Sequence, residues 1–177
     1  MKAVLISIRP EWTRMIVSGK KTLEVRKTRP KIQEPFRCYI YQTLPKSGDW
    51  NERDGRVVGE FVCTEIIDVW PGYRGGEDCL TFEQWEKYLG ANGHGYGWRI
   101  TNLKVYDKPK KLNEFYRWWE DGDDIRPCQN GKSCEHIVYD YSENCEACGI
   151  DFDGTDCPYL KVQRPPQSWC YVEELED

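Results

Sequence analysis

The chain has 177 residues, a mass of 20.9 kDa, 31% charged side chains and a formal net charge of −5. That length suffices to bury about 70% of the unfolded surface without disulfides, which argues against wholesale disorder. Its longest apolar runs, such as Val4-Leu5-Ile6 and Phe61-Val62-Cys63, fall far short of the ~20 residues of a membrane span, and Lys2 is followed by no signal-peptide core, so a cytoplasmic protein without membrane contact is expected.

Residues 2–8 are rich in Val, Leu and Ile and read as a buried strand. Pro10 suits a first helical turn. Trp12, Met15 and Ile16 then recur at helical spacing, and Gly19 suits the helix's C-terminal cap. Residues 22–27 alternate, with Leu23 and Val25 opposite Thr22, Glu24 and Arg26, which predicts a half-buried strand. Residues 36–43 predict another, Cys38, Ile40 and Gln42 facing away from Tyr39 and Tyr41. Turn-rich residues 45–55 lead into a long apolar strand over 56–70, in which Gly59 marks a bulge or a close backbone approach.

Thr81 as N-cap, Gln84 three residues on and Gly90 at the end predict a helix over 81–89. Residues 93–97, Gly-His-Gly-Tyr-Gly, read as a flexible loop, 98–106 as a strand, and 112–119 as a short helix with Phe115, Trp118 and Trp119 on its apolar side. After the acidic run 120–124, strand character returns only at 168–172. Short strands with two or three helices predict an α+β domain around a small barrel or strongly bent sheet. Residues 1–177 form one domain on this reading, with 121–158 inserted before the last strand.

Charge and cysteine are unevenly distributed. Residues 1–37 hold ten basic and three acidic side chains, a net +7, against 15 basic and 27 acidic in the remaining 140, a net −12. The first third therefore makes a locally basic surface on an acidic protein, and the overall −5 does not exclude a nucleic acid. Cys38, Cys63, Cys79 and Cys170 are scattered and read as small buried hydrophobes. Cys128, Cys134, Cys145, Cys148 and Cys157 crowd into 30 residues around a C-x2-C pair. Four thiolates on short loops suit tetrahedral Zn²⁺. Cys134, Cys145, Cys148 and Cys157 make one set, with Cys128 as a substitute ligand and His136 a weaker one. A structural Zn²⁺ would supply folding energy that the segment's few apolar residues cannot.

Glu24 and Arg26 project to one face of their strand and can pair, with Lys21 at the preceding junction. Two cations around one carboxylate suit a phosphate or the carbonyl edge of a base. Trp12, Trp50, Tyr41, Tyr73 and Trp98 lie near predicted strand ends or loops, where rings can stack on bases. His94 and Ser168 are weaker candidates for a catalytic base and a nucleophile.

The run Gly19-Lys20-Lys21-Thr22-Leu23-Glu24-Val25-Arg26 fits G-x-K-x-x-E-x-R and resembles the signature of the ASCH domain family. The resemblance covers roughly residues 1–112 and 159–174. It implies a PUA-like β-barrel whose cleft the motif helps to line, in a family generally proposed to bind RNA or modified nucleotides. Some relatives are amidohydrolases acting on N4-acetylcytidine, and at least one is described as a ribonuclease. In the amidohydrolases the motif Lys is followed three positions later by a Thr nucleophile. That position is Glu24 here, which removes the hydroxyl of the covalent route.

These readings converge on a protein that binds RNA or a modified nucleoside or nucleotide through Lys20, Lys21, Glu24, Arg26, Trp12 and Tyr41. One alternative is a nucleoside or nucleic-acid hydrolase with Lys21 and Glu24 as catalytic groups. A second is a protein-interaction module that uses the cysteine-rich insertion.

Overall fold

The computed structural model describes residues 1–46, 48, 51, 53–70, 73, 75–90, 93–118 and 161–175. Chain order gives β1 (Lys2–Ile8), α1 (Pro10–Val17), β2 (Leu23–Arg26), β3 (Phe36–Gln42), β4 (Arg56–Val69), α2 (Phe82–Leu89), β5 (Gly95–Lys110) and β6 (Trp169–Glu173). The six strands form one sheet in the order β2-β5-β4-β3-β1-β6. Only β1 and β3 are parallel. A parallel pair needs a long crossover, and residues 9–35, carrying α1 and β2, supply it. That excursion is what brings β2 to the sheet's far edge, against β5.

The long strands β4 and β5 change register three times, and such bulges bend a sheet. Gly59 sits at one of them. A Cβ there would lie 2.5 Å from the carbonyl oxygen of Lys104 on β5, so the predicted bulge and the predicted close approach are both present. The bend encloses a core of Val4, Ile6, Ile8, Cys38, Phe61 and Trp98, with Ile16 of α1 against it. Leu5, Tyr39, Val57, Phe115 and Val172 pack on the sheet's other face. A third cluster seats Trp85 of α2 on Leu23, Val25 and Val69. Helix α2 starts with the expected reciprocal cap between Thr81 and Gln84.

Several expectations are corrected. The sheet is strongly bent but not a closed barrel: among the described residues no strand ladder joins β2 to β6. Side chains span that gap instead, where Trp169 Nε1 donates to Thr28 Oγ1 at 3.1 Å, Lys31 N–H donates to the Tyr171 hydroxyl, and Trp169 lies 6.0 Å from Trp98. Strand β2 is buried on both faces rather than one, because Glu24 and Arg26 are neutralised within the protein. The Gly-rich 93–97 stretch is mostly the start of β5: Gly97 pairs with Val25, and a Cβ on it would meet Leu23 Cδ2 at 2.8 Å. Its glycines permit close packing rather than mobility. In place of the helix expected over 112–119, residues 112–118 hold one 3-10 turn, Leu112–Glu114. The chain then runs extended, placing Phe115 in the second core, Tyr116 opposite Lys161 and Arg117 opposite Val172. The acidic run, the insertion 121–158 and its cysteines lie outside the described residues.

Candidate ligand-binding cleft

The motif's geometry begins at the end of α1. Gly19 takes φ +72°, a left-handed cap that glycine adopts without a Cβ penalty. The turn lets the N–H groups of Lys20 and Lys21 both donate to Met15 O. Thr22 and Leu23 then donate to Glu77 O, which pins the start of β2 under the 75–80 loop.

Lys21 is 2% exposed. Its Nζ donates to Leu23 O at 2.9 Å and Asp78 O at 2.6 Å, and lies 3.3 Å from Glu24 Oε2. An ammonium has three protons and no acceptor; the two carbonyls take two of them, and Glu24 Oε2 is held as an ion pair without a directed hydrogen bond. The other Glu24 oxygen, Oε1, lies 2.9 Å from Arg26 Nη2, which also donates to Ser7 O at 2.8 Å. Ser7 N–H goes to Ser168 O and Ser7 Oγ to Pro166 O. Thus Arg26 ties β2 to the end of β1 across the gap in the sheet.

Two buried atoms of this network are left over. Arg26 Nε has no hydrogen-bond acceptor, and Glu24 Oε2 has a charge partner in Lys21 but no hydrogen bond directed at it. A buried Lys–Glu–Arg cluster is a weak device for stability, since desolvation offsets the attraction. One unserved donor and one unserved acceptor in such a cluster point to a ligand.

The cluster forms the floor of a cleft of roughly 1180 Å³. Trp12 and Met15 of α1 line one wall, and Gln84, Lys87 and Tyr88 of α2 line another. The ends of β1 and β3, through Arg9, Tyr41 and Thr43, and the 165–168 segment complete it. Trp12 is half-buried beneath Lys21, whose Nζ lies 5.4 Å from its ring centroid. At the rim Lys27 and Lys87 are exposed, with Lys27 Nζ 5.3 Å from the Tyr88 ring.

The structure thus gathers Lys21, Glu24, Arg26, Trp12 and Tyr41 around one space. Lys20 is exposed and does not line it. His94 sits just before β5, 3.0 Å from Asp68, and does not line the cleft. Ser168 does line it. Trp98 is wholly buried in the core, and Tyr73 packs on Trp85; neither offers a free face there. Trp50 and the metal candidates Cys128, Cys134, His136, Cys145, Cys148 and Cys157 are outside the described residues, among which no cluster of His, Cys, Asp or Glu could hold a metal. Of the scattered thiols, Cys38 and Cys63 are buried as expected, and burial pushes Cys63 up to about 12 and Cys38 well above its ordinary value, whereas Cys79 and Cys170 are only partly buried, Cys79 Sγ donating to Lys20 O.

Sequence reasoning missed Ser7, Asp78, Lys87 and Tyr88. Ser7 has a signal, a polar residue inside an apolar strand. Asp78 contributes only its carbonyl to Lys21, which no side-chain pattern reveals.

Comparison with known proteins gives the family and the fold. The ASCH domain family model matches residues 6–125. The crystal structure of ASCH from Zymomonas mobilis is similar, with 25% identity and a TM-score of 0.52 over 63% of this chain and 75% of that one. A single-residue variant of the Zymomonas mobilis protein gives 24% identity and a TM-score of 0.52 over 64% and 78%. No curated protein matches the chain. No helix among the described residues is long and apolar enough to cross a membrane. With its six-stranded sheet and this match over most of its length, the chain belongs to the ASCH domain family, a PUA-like fold of nucleic-acid-binding type.

Proposed function

We propose that this cytoplasmic protein binds RNA or a modified nucleotide in the cleft. The observation that carries the reading is the buried Lys21–Glu24–Arg26 cluster with Glu24 Oε2 and Arg26 Nε unserved at the cleft floor. A carboxylate oxygen accepts from a base N–H, and a guanidinium N–H donates to a base carbonyl or ring nitrogen. Trp12 offers a ring for stacking, and Lys27, Lys87 and Arg9 stand at the rim, where phosphates would lie.

The test is titration of nucleosides, nucleotides and short RNAs at several salt concentrations, with wild type and a Lys27→Glu/Lys87→Glu double variant. Both lysines are exposed, so the fold is expected to persist. Wild-type affinity for RNA should fall with salt, and the variant should bind at least tenfold more weakly with a shallower salt slope, since each phosphate neutralised adds about 0.7 to the slope for a single strand. Absence of binding at low salt, or an unchanged variant, defeats the proposal.

A hydrolytic reading has one observation in its favour. Glu24 Oε2, free of directed hydrogen bonds, can orient a water, while Lys21, fixed by two carbonyls, would stabilise developing charge. Acetate release from N4-acetylcytidine by the wild-type protein would support it, and no release removes that substrate. The reading of Cys134, Cys145, Cys148 and Cys157 as a structural Zn²⁺ site, with Cys128 as substitute, is part of the proposal. Metal analysis should give about one zinc per chain.

A further inference from the structure

Tyr41 is a phenol that the fold has not used. Its side chain is 6% exposed and lines the cleft, and its hydroxyl feels burial and the Arg56 charge but no hydrogen bond. The oxygen itself is not sealed off from the cleft and can donate and accept there. Its neighbour Tyr39, on the sheet's same face, is paired: the Tyr39 hydroxyl accepts from Leu175 N–H at 2.8 Å. Burial raises the Tyr41 phenol above its ordinary value, so the group stands as a neutral donor and acceptor.

Its place in the sheet separates it from the charged cluster. Glu24 and Arg26 belong to β2 at one sheet edge, whereas Tyr41 belongs to β3, beyond β1 on the other side of the gap. The two polar features face one cleft from opposite sides. At roughly 1180 Å³ that cleft exceeds the ~300–1,000 Å³ that pockets for one small ligand occupy. Arg9, exposed and only loosely paired with Glu11 at 3.9 Å, lines the same end as Tyr41.

We propose that Tyr41 forms a second subsite, which takes a neutral hydrogen-bonding group of a neighbouring nucleotide, so that the cleft holds at least two linked nucleotides. Glu24 and Arg26 engage one base, Arg9 faces the linking phosphate, and the Tyr41 hydroxyl engages the ribose hydroxyl or base edge of the next residue. This inference rests on the nucleotide-binding reading and extends it.

The experiment measures affinities of mononucleotides and of ribo- and deoxyribodinucleotides for wild type, Tyr41→Phe and Arg9→Gln. Tyr41→Phe removes only an oxygen that holds nothing in the fold, and Arg9 is exposed, so both variants should fold. Expected are dinucleotides at least tenfold tighter than any mononucleotide. Tyr41→Phe should weaken dinucleotides about three- to tenfold, as loss of one hydrogen bond does, and leave mononucleotides unchanged. Arg9→Gln should act on the same ligands. An effect of Tyr41→Phe confined to ribodinucleotides identifies the ribose hydroxyl; an effect on both sugars identifies the base. Equal affinity for mono- and dinucleotides, or a variant that weakens both alike, overturns the second subsite while leaving nucleotide binding intact. No binding of any ligand overturns both.

Discussion

At the scale of single residues, the cluster at the cleft floor sets charge balance against access. Glu24 is the only carboxylate within ion-pair distance of both Lys21 and Arg26 in the described structure. Replacing Glu24 by Gln leaves two buried cations facing each other, and loss of one member of a buried pair costs about 3 kcal/mol or more. Urea unfolding of Glu24→Gln should show that loss; a midpoint equal to wild type would mean that the cluster is better solvated than its geometry indicates. The acidic and basic members were legible in the sequence through their spacing. Their acceptors were not. Leu23, Asp78 and Ser7 take part through backbone carbonyls, which every residue type carries, so only the fold reveals them.

Elements were legible where caps and periodicity agreed. Thr81, Gln84 and Gly90 fix α2 at both ends, and Gly19 fixes the end of α1. The 112–119 segment shows why pattern alone fails: the spacing of Phe115, Trp118 and Trp119 suits a helix, yet Phe115 has φ −104° and ψ 133°, extended, because a core on the sheet's outer face receives it. The glycines of β5 show the converse, where partners distant in sequence (Leu23 for Gly97, the Arg26 carbonyl for Gly95) leave little room for a side chain. Two substitutions separate these effects. Thr81→Ala removes one reciprocal cap and should cost about 1 kcal/mol. Gly59→Ala forces a carbon against the Lys104 carbonyl and should cost about 2 kcal/mol or more. Thermal denaturation reads both, and a Gly59→Ala protein as stable as wild type would show that β4 and β5 can separate there at no cost.

For the whole molecule, the segments flanking residues 119–160 matter most. Tyr116 pairs with Lys161, Phe115 O accepts from Val162 N–H at 2.8 Å, and Tyr116 O accepts from Glu173 N–H at 2.9 Å. The chain therefore departs from and returns to adjacent positions beside β6. Joining Trp118 to Lys161 through a short Gly-Ser linker should keep the far-UV spectrum and cleft binding of the full chain. Loss of either would show that residues 119–160 take part in the domain or its site. The opposed charges of the first 37 residues and the remainder also acquire a place: Arg9, Lys21, Arg26 and Lys27 of the basic third all border the cleft.

The bond from Arg26 to the Ser7 carbonyl has a mechanical consequence. The two margins of the sheet are fastened there by one guanidinium and, farther along, by a few side-chain contacts. A continuous ladder would distribute that load over many amides; here it falls on a clasp. Because Arg26 also lines the cleft, whatever occupies the cleft touches the fastening itself. Occupancy would tighten the seam, and strain on the seam would be felt by the occupant.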